Sequence, residues 1–175
     1  MENTIRGYKA FNANLTNRYG ASFKEGGKYS VSGDAVFGNH GNGFHFCERL
    51  EDTLRYFDAM DGKVAICEVI GSGDIVEYSD EYYGYYDMFA ATELEVLKAL
   101  TREEIINMYL SVPSHRMVRF VQGFRLEPLE KELMRCCYAD DIDVLNAISY
   151  YQDGDIDVYS RERARIYKKE IVDKN

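Results

Sequence analysis

The sequence has only two prolines in 175 residues, Pro113 and Pro128, while 46% of its residues are hydrophobic. That combination excludes a disordered or collagen-like chain. The four cysteines and three histidines include no C-x-x-C and no H-x-x-H pair, so the ligand spacing of a zinc site is missing. The longest near-apolar run, Val64-Ala65-Ile66-Cys67, stops at Glu68, far short of the roughly 20 residues a spanning helix needs. Met1-Glu2-Asn3-Thr4 has neither a basic nor an apolar leader segment, so no signal peptide is expected. Positive charge is scarce as well. With 21 Lys+Arg against 30 Asp+Glu the net charge is −9, which argues against a nucleic-acid coat or a general membrane-surface binder. These absences lead us to expect a cytoplasmic protein, free of metal, with Cys47, Cys67, Cys136 and Cys137 reduced and mostly buried.

What is present reads as strands first and helices after. A chain of this length buries roughly 70% of its unfolded surface and needs no staple. Ile5 to Phe11, Lys28 to Val31 and Gly43 to Cys47 read as short strands. Val36 to Asn42 is Gly/Asn-rich and reads as a loop. Glu48 to Met60 has Leu50, Leu54 and Phe57 at helical spacing, with Glu51 and Asp52 in the first turn. Lys63 to Ile70 is apolar on both faces and reads as a central strand. Gly71-Ser72-Gly73 is expected to turn into a separate strand from Asp74 to Tyr78, and a further strand runs from Ala91 to Leu97.

From Thr101 the periodicity becomes helical. Thr101 with Glu104 forms a capping-box pattern, Pro113 stops that helix, and Ser114 opens the next. Further helices are expected over Leu129–Tyr138, Asp140–Tyr151 and Ser160–Val172. Segregated strands and helices mean α+β. The expected organisation is a strand-rich unit over residues 1–100, packed against a helical extension over 101–175.

The blocks Gly7-Tyr8-Lys9-Ala10-Phe11-Asn12, Leu15-Thr16, Gly27-Lys28-Tyr29, Gly43-Phe44-His45-Phe46-Cys47-Glu48, Glu68-Val69 and Gly73-Asp74-Ile75 together resemble a bacterial and phage domain family of unknown function. The Gly43–Cys47 block is the most specific part. Beneath it, an aromatic strand, a helix with Tyr56 and an apolar strand ending Glu68-Val69-Ile70-Gly71 are similar to the core of the ADP-ribosyltransferases, including poly(ADP-ribose) polymerases. That resemblance implies NAD as cofactor, with Arg6, Lys9 and Tyr56 binding it and His45, Glu93 and Glu95 as the catalytic set. Two features depart from that pattern. Tyr8-Lys9-Ala10 stands where the polymerases carry His-Gly, and Phe44-His45-Phe46 replaces their Ser-Thr-Ser motif.

Each candidate also has a structural reading. His45 faces away from Phe44 and Phe46, either toward a ligand or to fix the preceding loop. Glu93 and Glu95 share one strand face, and are either paired carboxylates for ribose chemistry or a solvated face opposite Leu94 and Val96. Arg6 and Lys9 have odd separation, so at most one can serve a single site. Gly38, Gly41 and Gly43 lead into a strand rather than a helix, so they read as turn formers and not as a phosphate cradle. The cluster Tyr78, Tyr82, Tyr83, Tyr85 and Tyr86 suits a protein partner or packing against the helices. Two functions follow: an NAD-binding ADP-ribosyltransferase-like domain, or a non-enzymatic interaction module using the tyrosine loop.

Overall fold

The computed structural model describes residues 4–38, 41–55, 63–79 and 87–153. Strands β1 (Ile5–Asn12), β2 (Lys28–Ser30) and β3 (Phe44–Cys47) precede a short helix α1 (Leu50–Thr53). Two long strands follow, β4 (Val64–Ser79) and β5 (Asp87–Ala99). Helices α2 (Arg102–Met108), α3 (Ser114–Gly123), α4 (Pro128–Cys137) and α5 (Ile142–Gln152) complete the described chain. The protein is α+β, with an antiparallel sheet in its N-terminal part and helices after it. It divides into two compact units, Met1–Tyr109 with Gly123–Arg125, and Leu110–Gln122 with Leu126–Asn175. Helix α2 therefore belongs with the sheet.

The sheet turns back on itself. Over 64–71, β4 pairs with β1 on one edge, and over 67–72 it pairs with β5 on the other, so the strand read as central is central. The far edge of β5 carries β3 over 88–91 and then β2 over 93–95. β3 reaches β1 through one bridge, Tyr8↔Cys47, which closes the ring β1-β4-β5-β3. At this seam a Cβ on Gly7 would run into the Cys47 carbonyl and the Phe46 ring. Only glycine allows the two backbones to come so close.

The Gly71–Gly73 segment does not turn. β4 continues through it with a register shift between Ser72 and Ile75, and Gly73 takes φ +77°. A bulge absorbs the glycines and leaves the strand unbroken. Opposite this point the inward set on β5 changes parity. Phe89 and Ala91, then Leu94 and Val96, all join one core with Phe11, Phe23, Phe46, Cys67 and Val69. The change leaves Glu93 exposed and Glu95 half-buried, outside that core.

Helix α1 is shorter in its described part than the pattern over Glu48–Met60 suggested. Arg49 stands at its N-cap, and its side chain does not cap the helix. Its first-turn acids are buried rather than solvated: Glu51 and Asp52 are 4% and 1% exposed, and the Tyr109 hydroxyl donates to Glu51. Residues 56–62 lie outside the described set, and so does the expected helix over Ser160–Val172. The capping box at α2 forms as its sequence implies. Thr101 Oγ1 accepts from Glu104 N at 3.2 Å, and Glu104 Oε2 accepts from Thr101 N at 2.9 Å.

In the second unit, Asp141 caps α5 by accepting from Val144 N at 3.1 Å, and Ser114 donates to the same carboxylate. Lys131 and Arg135 of α4 both reach Asp153. The thiols divide evenly. Cys47 and Cys67 are buried on strands, whereas Cys136 and Cys137, at the last turn of α4, are exposed. Among the described residues no helix is long and apolar enough to cross a membrane.

Candidate functional site

Where β1 and β3 part beyond their single bridge, the first unit opens a cavity of about 640 Å³. Its back wall is β1 and β3, and two loops form its sides. The first loop follows β1. Asn17 Oδ1 accepts from Tyr19 N at 3.0 Å and Ala21 N at 2.9 Å, a side-chain-closed turn that carries Arg18 at its tip. Phe23 anchors this loop in the core, with its ring 4.8 Å from Phe11 and 4.7 Å from Tyr29.

The second loop is the Gly/Asn-rich stretch before β3. Asn42 Nδ2 donates to the carbonyls of Ser32 and Asp34, both at 2.9 Å, and Asp74 Oδ2 accepts from Ala35 N at 2.7 Å. Phe37 stacks on Tyr78 with centroids 4.6 Å apart and meets His45 edge-on at 4.9 Å. His45 Nε2 accepts from Gly38 N at 3.2 Å. An accepting Nε2 places the neutral ring's proton on Nδ1. Burial holds the His45 pKa below its usual 6.5, the nearby Lys9 and Arg18 push the same way, and a hydrogen bond to the Gly43 backbone works against them. Through the bond from Gly38, His45 holds the loop against β3.

Lys9 stands on the same wall, half-buried, and its ammonium donates to the His45 carbonyl. Burial lowers its pKa from 10.5 to about 8, partly countered by Cys47 and reinforced by Arg18. Among the described residues neither Lys9 nor Arg18 has a carboxylate partner, and no aspartate or glutamate lines the cavity. Aromatic surface is supplied by Phe23, Phe37, Phe44 and Phe46. Cys47 is present, but burial, with Asp52 adding, pushes its thiol up to about 12. It is therefore no nucleophile near neutrality.

The structure brings Lys9 and His45 together and leaves Arg6, Glu93 and Glu95 elsewhere. Arg6 points outward and pairs with Glu68 at 2.9 Å. Glu93 accepts from Ser72 Oγ at 2.9 Å, and Glu95 pairs with Lys28 at 3.3 Å. None of the three is a wall of the cavity. Tyr56, His40 and Tyr82 to Tyr86 lie outside the described residues. Among the described residues no cluster of His, Cys, Asp or Glu is placed to hold a metal ion. Sequence reasoning passed over Arg18. Its signal was the local pattern Asn17-Arg18-Tyr19-Gly20, an asparagine turn presenting a cation beside the Gly7–Asn12 block.

A five-stranded antiparallel sheet, four of whose strands close a ring, with its own helix α2 defines the first unit as an α+β domain. The chain belongs to the family described as domain of unknown function DUF7666, whose model matches residues 5–108. The match runs past Ile75 to include β5 and α2. No curated protein and no solved structure matches the chain.

Proposed function

We propose that the first unit is a small-molecule binding domain whose ligand presents an anionic group to Lys9 and Arg18 and a flat ring to the aromatic walls. NAD, with its pyrophosphate and two rings, is the first candidate. The observation that carries this reading is the pair of cations at one cavity, without carboxylate partners among the described residues, in a chain of net charge −9. A lysine kept half-buried against a carbonyl costs stability, and an anion would offset that cost. Binding is favoured over ADP-ribosyl transfer because Glu93 and Glu95 are engaged by Ser72 and Lys28, away from Lys9 and His45. A second reading, a protein-interaction module, draws on the exposed Leu129, Leu133 and Ile142 of α4 and α5.

The test is a thermal melt with NAD or inorganic pyrophosphate. Saturation at about 100 times Kd adds roughly 2.7 kcal/mol, which is about 5–10 °C for a chain of this size. The shift is expected to vanish in a Lys9→Met, Arg18→Gln double variant. No shift at millimolar ligand, or a shift that survives the double variant, would remove this reading and leave the interaction module.

A further inference from the structure

We propose that Lys9 is a covalent site, whose amine condenses with an anionic aldehyde admitted to the β1–β3 cavity to form an imine. The inference rests on the anion-binding reading above and adds a reaction to it. The Nζ lone pair attacks the aldehyde carbon, a proton passes from nitrogen to the former carbonyl oxygen, and water leaves. Amine and aldehyde give imine and water with no change of oxidation state.

Three features of the site single out this lysine. The first is its partner. Lys28, Lys98 and Lys131 are tied to the carboxylates of Glu95, Glu104 and Asp153. Lys9 donates instead to the neutral carbonyl of His45. A carbonyl can accept from an amine as well as from an ammonium, so loss of the proton breaks no ion pair and need not break the hydrogen bond. Second, burial lowers the Lys9 pKa to about 8. At pH 7.5 roughly a quarter of such a lysine is free amine, about two hundred times the fraction at the ordinary value. Third, the surroundings suit the aldehyde. Arg18 at the rim offers a guanidinium to a phosphate or carboxylate on the ligand. Phe23, Phe37 and Phe44 offer ring faces. Cys47, held protonated, does not compete for the carbonyl carbon.

The experiment uses the full chain with pyridoxal 5′-phosphate as an anionic ring aldehyde, and pyridoxal as the same aldehyde without phosphate. Borohydride reduces any imine, and peptide mass mapping locates it. Lys9 is expected to be labelled at least tenfold faster than Lys28 or Lys98, and the rate should fall about tenfold per pH unit well below pH 8. Millimolar inorganic pyrophosphate should protect it. Label spread evenly over the lysines overturns the proposal, and so does unchanged total labelling in a Lys9→Arg variant that melts as the parent does. If pyrophosphate raises the melting temperature but Lys9 takes no label, the imine fails and the anion site stands. If pyridoxal labels Lys9 as well as its phosphate does, without protection by pyrophosphate, the imine stands and the anion site fails.

Discussion

Two sides of the same sheet treat their charges in opposite ways. On the outer side, cations and carboxylates are matched: Arg6 with Glu68 at 2.9 Å, Lys28 with Glu95 at 3.3 Å, and Lys98 with Glu104 at 2.5 Å. At the β1–β3 seam, Lys9 and Arg18 face a cavity that no described acid lines. Solvent-screened pairs of the first kind add little to stability. A half-buried cation of the second kind subtracts from it. On the proposed reading, the difference separates residues that serve the fold from residues that would serve a ligand. The acids that resembled a catalytic pair are on the matched side. Lys9, one of the two cations expected to meet the cofactor, is on the unmatched one.

The strongest way to break the comparison is to prevent the seam from forming. Gly7→Val drives a side chain into the Cys47 backbone and the Phe46 ring. Chemical denaturation should show a loss of about 3 kcal/mol or more. Stability equal to the parent's would mean that the seam need not close.

Lys9→Met should act next, and in the opposite direction. Removing the desolvated charge should raise the stability of the free protein at pH 7 by about 1–2 kcal/mol, while abolishing the ligand-induced melting shift. The pH dependence sharpens this. The folded pKa near 8 lies below the unfolded 10.5, so between them the unfolded chain binds more protons. Parent stability should therefore climb from pH 8 to 10.5, and the climb should be missing in Lys9→Met when both are unfolded in urea across that range. Parallel curves would remove Lys9 from the seam's electrostatics.

His45 gives a smaller effect at the acid end. Its folded pKa is depressed below 6.5, chiefly by burial, so the stability it supports is present above that pH and is lost as pH falls through the folded value. Protonation turns the Nε2 that accepts from Gly38 into a donor. Corrected for the intrinsic pH dependence of exchange, the protection of the Gly38 and Gly41 amides should fall at pH 5 in the parent, and in His45→Gln it should change little with pH.

The smallest effect belongs to the matched side. Glu95→Gln removes an exposed pair and should cost less than about 0.5 kcal/mol, with the ligand-induced shift intact. A lost shift would return Glu95 to the site.

Much of the fold was legible in sequence because local chemistry settled it. Thr101 and Glu104 can cap a helix without help, and the apolar run at Val64–Cys67 fits only a strand covered on both edges. The misreadings share one cause. Gly71-Ser72-Gly73 has the composition of a turn, yet pairing along both edges of β4 holds it as a bulge. Cys136 and Cys137 look like core residues by type, but the end of α4 leaves them exposed. Of the site, His45 was visible as the polar residue between two phenylalanines, and Lys9 as one of two opposed cations. Which of Lys9 and Arg6 faces inward could not be read, because a strand's alternation gives two faces and does not say which is covered.

The sequence by itself determined the α+β class and the capped start of α2, since period and caps act over a few residues. Only the tertiary structure decided that β3 returns to β1 at Tyr8↔Cys47, that Arg18 joins Lys9 at the opening beyond it, and that Glu93 and Glu95 stand elsewhere. Those outcomes depend on ring closure and on a bulge that shifts register. Both are long-range pairings, whose energy comes from partners far away in the chain.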